Sequence, residues 1–326
     1  MLCIYNNSIE PYFNMAVEEY LFKNFNQDIF MLWRNDNAII VGKHQNTLAE
    51  INLDYVKEKN IKVVRRLSGG GAVFHDLGNL NFTFIMNSTD GLPVDFRKYT
   101  EPILEVLHKL DIPAKFEGRN DLTIDSRKFS GNAMHVVRNR VLQHGTLLFA
   151  SEMKDLSEAL KVNPLKYQDK AVKSVRSRVT NISEHLKSPL ELDDFTRMIM
   201  NHIMDKYDDS EAYELNEMDV AEIKSLVAAK YSGWDWNFGY QAKYSFNKSI
   251  KTDGGHIEIN LDVQDGKITA CKFYGDYFNT LETEDFEKLL IGVRHEEHSI
   301  SESLENINIE DYFRNVKIGE LVNGMF

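Results

Sequence analysis

The sequence predicts an α+β protein in which a small acidic unit follows a larger one. Three observations carry this. Segments with apolar residues at helical spacing are interleaved with short segments that alternate apolar and polar side chains. Beyond about Tyr240 both patterns resume in a more acidic context, residues 245–326 carrying a net charge of −8. The chain of 326 residues, 43% hydrophobic and 27% charged, is long enough to bury a sizeable core without disulfide or metal staples.

In chain order, residues 11–25 read as an amphipathic helix. Phe13, Ala16, Val17, Tyr20 and Leu21 share a face, and Pro11 stands near its start. Residues 28–34 and 37–42 read as strands around the polar turn Asn35-Asp36. A short helix over 52–60 precedes a strand over 61–66 that runs into three glycines, and 80–86 is a further strand. A helix is expected over 95–110, with Pro102 near its start and Pro113 after its end. Strands over 133–137 and 141–149 flank Arg138-Asn139-Arg140, which reads as a hairpin turn. Residues 190–207 give a strongly amphipathic helix with Phe195, Met198, Ile199, Ile203 and Met204 on one side. Residues 208–219 are acidic and weakly patterned; a helix over 220–230 then leads to the aromatic cluster from Gly233 to Gly239. In the small unit, strands over 256–263 and 268–274 are joined by a turn at 264–267, and helices are expected over 283–293 and 318–325.

The net charge of −12 argues against a general nucleic-acid binder. No run of about 20 uncharged apolar residues is present to cross a membrane. Residues 1–10 lack the basic and apolar runs of a signal peptide, and the two cysteines, Cys3 and Cys271, form no metal or redox spacing. These features predict a cytoplasmic protein, read here as a monomer. The average hides a local field: residues 119–178 carry twelve basic and six acidic side chains, a net +6. That run is read either as a solvated face or as a surface for anions.

Three segments carry candidate chemistry. In Arg65-Arg66-Leu67-Ser68-Gly69-Gly70-Gly71-Ala72-Val73-Phe74-His75, three glycines stand between two strands. They mark either a tight turn or a nest of backbone N–H groups for a phosphate, with the arginines as anion ligands. Neither the Gly-Lys-Ser/Thr of a P-loop nor a following helix is there. Lys128, between Arg127 and Phe129 and just ahead of Gly131, is placed to be held against a ligand, where an ammonium stabilises charge developing on a phosphate or acyl oxygen. Asp121 either orients that lysine, holds Mg²⁺, or caps a turn. His144, before Gly145 and an apolar strand, lines a pocket or is a satisfied core histidine. His295 and His298 stand in an acidic stretch and are read as surface, not metal ligands.

Taken in order, these segments resemble the lipoate–protein ligase A family of the biotin/lipoate ligase superfamily. The match is carried by residues 65–79, by Gly118-Arg119-Asn120-Asp121-Leu122, by Arg127-Lys128-Phe129-Ser130-Gly131 and by His144-Gly145-Thr146-Leu147-Leu148. Trp33-Arg34-Asn35, the Ser174 to Asn181 run and the aromatic cluster at 233–239 look like the family too. The resemblance implies a large mixed-sheet catalytic domain, taken as residues 1–240, and a small α+β accessory domain at 245–326. It implies ATP-dependent formation of lipoyl-AMP with Mg²⁺, then transfer of the lipoyl group to a lysine of an acceptor. The implied acceptors are lipoyl domains of 2-oxo acid dehydrogenase E2 subunits or the glycine-cleavage H protein. By motif position Lys128 is the catalytic residue. Arg66, the backbone of Gly71, Ala72, Val73 and Phe74, Lys128 and Asp121 hold ATP and the adenylate. Lys128, Arg66, Ser68, Gly70, His75 and His144 border lipoate, and Asp121 is the candidate Mg²⁺ ligand. The basic run is then expected to face the triphosphate and an acidic carrier. Two alternatives stand beside this reading. One is an ATP-independent lipoyl or octanoyl transferase of the same superfamily, many of which use a cysteine that these motifs lack. The other is a non-catalytic module binding nucleotide or acyl carrier.

Overall fold

In the computed structural model, residues 1–45, 47–87, 95–152, 159–160, 179–238, 246–264, 267–295 and 297–325 are described. The protein is α+β, as its sequence predicts. Its main sheet is mixed and eight-stranded. In chain order its strands are β1 (Leu2–Asn6), β2 (Ile29–Trp33), β6 (Asn79–Asn87), β7 (Lys115–Glu117), β8 (Asp121–Ile124), β9 (Arg127–Val137), β10 (Arg140–Leu148) and β11 (Glu211–Ala212), arranged β11-β1-β2-β6-β10-β9-β8-β7. β1 runs parallel to β2 and β11, whereas β6, β10, β9, β8 and β7 continue antiparallel. A second sheet, β4-β3-β5, combines β3 (Ala38–Val41), β4 (Lys62–Arg65) and β5 (Val73–His75). A third, antiparallel sheet joins β12 (Phe246–Thr252), β13 (Gly255–Gln264) and β14 (Lys267–Gly275).

β2 shows why the main sheet is a two-faced core. Every residue of Ile29–Trp33 is buried. Ile29, Met31 and Trp33 join the core under helix α1 (Pro11–Asn24), while Phe30 and Leu32 join the opposite core with Phe82 and Phe84. The latter core is covered by the helices Phe96–Lys109 and Leu192–Lys206. The C-terminal sheet packs its own core against the helices Thr283–Leu290, Glu297–Leu304 and Ile318–Gly324.

Several expectations shift. Pro102 lies well inside the helix Phe96–Lys109, not near its start. Asp95 caps the N-terminus by accepting from Arg97 N, and the buried stripe of Tyr99, Ile103 and Leu107 offsets the hydrogen bond that proline cannot donate. The weakly patterned stretch after Tyr207 contains β11, held parallel to β1. The helix placed at 220–230 begins at Glu217, behind an Asn216–Asp219 capping box, and loosens into a π turn over Val227–Tyr231. His298 is on the surface as expected, its side chain 84% exposed at the start of the helix Glu297–Leu304, whose Ile300 and Leu304 are buried. The tip of the predicted 264–267 turn, the run from Ser174 to Arg178, Gly239 and Glu296 lie outside the described residues.

Candidate functional site

The glycine segment leaves β4 and returns as β5, so it bridges two strands that both pair with β3. Gly70 takes a left-handed φ of +89°, and a side chain at Gly42 would fall on the Gly70 carbonyl. Two backbone loops therefore press together, and a Cβ at either of these positions is excluded on different grounds. A Cβ at Gly71, by contrast, would meet nothing within 4 Å.

Two arginines brace this loop from behind. Arg65 is 0% exposed. Its Nη1 donates to the carbonyls of Gly42, Lys43 and Gln45 at 2.9, 3.0 and 2.7 Å. Nη2 reaches Thr47 Oγ1 and the Asn237 carbonyl at 2.7 and 3.2 Å, and Nε the Trp236 carbonyl at 2.9 Å. The aromatic cluster singled out in the sequence is thus a clamp: Trp236 Nε1 donates to Arg65 O and Arg65 N donates to Asn237 Oδ1. Arg66, also buried, donates from Nη2 to Gly69 O and Gly71 O at 2.6 and 2.8 Å, from Nη1 to Ile40 O at 3.0 Å, and from Nε to Ser68 Oγ at 3.0 Å. Burial pulls its pKa down to about 10, opposed by the charge of Glu18. The residue expected as an anion ligand therefore spends three N–H bonds on the loop itself and a fourth on β3.

In front of the loop is a cavity of about 150 Å³. Gly70, Gly71, Ala72, Val73 and His75 form one wall, with Arg66 behind them, and Lys128, Gly131, His144 and Thr146 the facing wall. Met15, Trp33 and Ile40 make its apolar lining, and Asn81 and Asn120 add amides. Lys128 rises from β9 with its side chain 41% exposed, and its Nζ sits 2.7 Å from Asp121 Oδ1. β9 is pinned there by a bridge from Lys128 to Val179, with Thr180 N donating to Lys128 O. His75 is buried; Asn35 Nδ2 lies 3.1 Å from its Nδ1, and burial first, then the Arg66 charge, lower its pKa to about 3. It is neutral at pH 7. His144 is both of the things the sequence allowed, a pocket residue and a fully partnered one, between Glu18 and Ser68.

One expected contact, that of Ser68, falls elsewhere, and at Phe74 only the backbone was expected to take part. Ser68 is 1% exposed and stands behind the cavity wall, hydrogen-bonded to His144 and Arg66. The Phe74 side chain packs with Ile39, Val41 and Val63 in the core behind the second sheet, because alternation along β5 sends it away from the cavity that Val73 and His75 line. Residues 153–158 and 161–178 of the basic run lie outside the described residues, and the cations that are described do not form one surface. Arg138 and Arg140 sit at the β9–β10 turn, about ten residues and so roughly 30 Å along β9 from Lys128. Arg140 there caps the carbonyls of Phe22 and Gln27.

The C-terminal sheet touches the loop directly. Gly275 N donates to His44 O at 2.6 Å, and the His44 ring stacks on Tyr277 at 4.7 Å. Lys43 pairs with Glu282, and a side chain at Gly69 would strike the Tyr277 carbonyl. Burial and the Lys43 charge lower the His44 pKa to about 3. Sequence reasoning passed over Glu18 and Asn81 as site-forming residues, and read Arg65 as an anion ligand where the fold makes it a clamp on backbone carbonyls. The signal for Glu18 was a carboxylate in a helix whose Asn14, Val17, Leu21 and Phe22 are also buried, so that it needs a buried partner.

Residues 10–204 match the lipoyl protein ligase A/B catalytic domain, and residues 241–325 the bacterial lipoate protein ligase C-terminus. A Bacillus subtilis protein named lipoate-protein ligase LplJ is 42% identical over 321 residues, 97% of each chain. The fold resembles a crystal structure of P. falciparum LipL1 in complex with lipoate, with a TM-score of 0.78, 26% identity and 94% of each chain covered. It also resembles a lipoate-protein ligase A bound with ATP, with a TM-score of 0.64 and 25% identity over 74% of this chain and 98% of that one. The matched catalytic and C-terminal regions, and the relatives that span nearly the whole length, place this chain in the lipoate–protein ligase family.

Proposed function

We propose that the protein activates lipoate with ATP and transfers the product to a lysine of an acceptor lipoyl domain. The observation that supports this best is the apposition of the glycine loop and the Lys128 ammonium across a cavity with apolar flanks. The reaction needs both halves. In the first step a lipoate carboxylate oxygen attacks the α-phosphorus of ATP and pyrophosphate leaves. Two anions meet there, so the junction needs a cation and oriented N–H dipoles. Lys128 supplies the ammonium, which exchanges Asp121 and water for the carboxylate and phosphate oxygens. Gly70, Gly71, Ala72 and Val73 bring backbone close to the phosphate, and Phe74 contributes main chain only. Arg66 and Ser68 act from behind, by fixing the loop. His75 and His144 border the acyl chain beside Trp33 and Met15. In the second step the acceptor lysine nitrogen attacks the acyl carbonyl, polarised by Lys128, and AMP leaves.

Among the described residues, no three acid, histidine or cysteine side chains converge on one point. Mg²⁺ is bound through one or two carboxylates plus substrate phosphates, and the half-exposed Asp121 carboxylate beside Lys128 is a donor of that kind. Asp121 would hold it, and the ion would neutralise phosphate charge. Residues 1–240 form the catalytic domain in this reading, with 245–326 an accessory domain resting on the glycine loop. The acceptors are lipoyl domains of 2-oxo acid dehydrogenase E2 subunits or the glycine-cleavage H protein. The free, buried thiols of Cys3 and Cys271 suit a reducing cytoplasm, and burial raises both pKa values, which leaves neither suited to acyl transfer.

The test is lipoate-dependent ATP–pyrophosphate exchange, with and without Mg²⁺. Exchange is expected from the wild type. Lys128→Ala should lose at least ~10²-fold of it, as removal of one oxyanion donor does, with the fold intact by circular dichroism. Absence of exchange together with acyl transfer from a carrier would establish the transferase alternative.

A further inference from the structure

We propose that Glu18 is a positioning residue which, through His144 and Ser68, sets the direction of the Arg66 guanidinium and hence of the glycine-loop carbonyls. The inference rests on the reading of that loop as the phosphate-facing wall. The four residues form an unbroken buried chain, none of them more than 7% exposed. Both carboxylate oxygens of Glu18 lie 2.9 Å from His144 Nδ1. His144 Nε2 is 2.6 Å from Ser68 Oγ, and Arg66 Nε donates to that same oxygen at 3.0 Å. Thr83 Oγ1 donates to Glu18 Oε1 at 2.6 Å and accepts from Trp33 Nε1 at 2.9 Å, which fixes the carboxylate on the sheet.

The proton inventory gives the chain a direction. A carboxylate only accepts, so His144 carries its hydrogen on Nδ1. Ser68 Oγ accepts from Arg66 Nε–H, so its own proton needs an acceptor, and His144 Nε2 lies 2.6 Å away. Nε2 therefore accepts the Ser68 proton. The Ser68 oxygen then turns its lone pairs to Arg66 Nε–H. With Nε fixed, the guanidinium plane fixes Nη2, which holds Gly69 O and Gly71 O together. In a planar trans peptide the next N–H points opposite to the carbonyl. The N–H groups of Gly70 and Ala72, both cavity residues, thus point away from Arg66. Serine, histidine and a carboxylate also build nucleophilic triads. Here Ser68 is sealed behind the wall, so the chain orients and does not attack.

The test uses the full chain labelled with ¹⁵N-histidine, the His144 resonances being assigned with His144→Gln. The wild type should show a protonated Nδ1 and an unprotonated Nε2. In Ser68→Ala the Nε2 resonance should move while Nδ1 stays protonated. A protonated Nε2 in the wild type, or no movement in Ser68→Ala, overturns the proposal. A double-mutant cycle follows the function. Glu18→Gln and Ser68→Ala should each raise KM for ATP about tenfold with kcat changed less than about threefold, and the double variant should be no worse than the worse single, since both cut one chain. A double effect equal to the product of the singles, or an unchanged KM for ATP, overturns it. If Glu18→Gln does not fold, Ser68→Ala alone decides. If the wild type shows no lipoate-dependent exchange, the activation reading falls, while the histidine resonances still decide this one.

Discussion

Gly131 offers a way to move Lys128 without removing it. A methyl group at this position would lie 2.9 Å from Lys128 Nζ and 3.0 Å from its Cε. Non-bonded heavy atoms want about 3.5 Å or more, so the ammonium must retreat by at least ~0.5 Å. The lysine side chain is 41% exposed and yields into solvent, which keeps the clash from costing stability. Gly131 does not occupy the left-handed region, so alanine fits its backbone. A glycine inside a strand costs ~0.5–1 kcal/mol relative to alanine, and Gly131→Ala should therefore hold or raise the unfolding free energy. Its kcat for lipoate-dependent pyrophosphate exchange should nevertheless fall ~10- to 100-fold, since a misplacement of about 1 Å at a reacting centre costs up to ~10². Urea unfolding and exchange at saturating ATP and lipoate measure the two quantities. Opposite signs are the signature. An exchange rate within about twofold of wild type at unchanged stability would refute the argument that the Nζ position governs the chemistry.

Arg65→Lys replaces six described hydrogen bonds to neutral oxygens by at most three. Leaving about three buried acceptors unpaired at ~1 kcal/mol each predicts a loss of ~3 kcal/mol in urea unfolding, and a loss below ~1 kcal/mol would show that the clamp is dispensable. His44, His75 and His135 each have a pKa lowered to about 3, first by burial. The unfolded chain, with histidines near 6.5, binds protons that the folded chain refuses, so the contribution is full above pH 6.5 and is lost as pH falls toward 3. Stability should drop between pH 7 and pH 5 with a slope of up to about three protons. A flat profile over that window would mean these rings gain partners on protonation.

How much of this was legible in the sequence follows from where each signal resides. Phe82 and Phe84 alternate, and their strand was found. β1 and β12 were passed over; β12 has four half-buried and three exposed residues and no clean alternation. β11 has two exposed residues and exists because β1 supplies its hydrogen bonds, a tertiary fact. Lys128 was legible because its neighbours in sequence, Phe129 and Gly131, are its neighbours in space. Glu18 was not, for its partners His144 and Thr83 are 126 and 65 residues away. Arg66 was legible as a cation beside glycines, and only the fold shows the four protein oxygens to which it donates.

That distinction explains why the site separates its positive charges by burial. A guanidinium already desolvated and saturated by Gly69, Gly71, Ile40 and Ser68 has little hydrogen-bonding capacity left to gain from a phosphate. Its value is rigidity: it holds loop carbonyls in place before any ligand arrives, so their peptide N–H groups need no reorganisation at the moment of reaction. An ammonium that is 41% exposed and paired to a carboxylate of similar exposure is the reverse case. Its pairing with Asp121 is screened and worth ~1 kcal/mol at most, so a carboxylate and a phosphate arriving together displace it at small cost. The buried arginines therefore shape the wall, and the exposed lysine meets the charge. The net charge of −12 could not have told these uses apart, because it weighs every cation equally and burial does not.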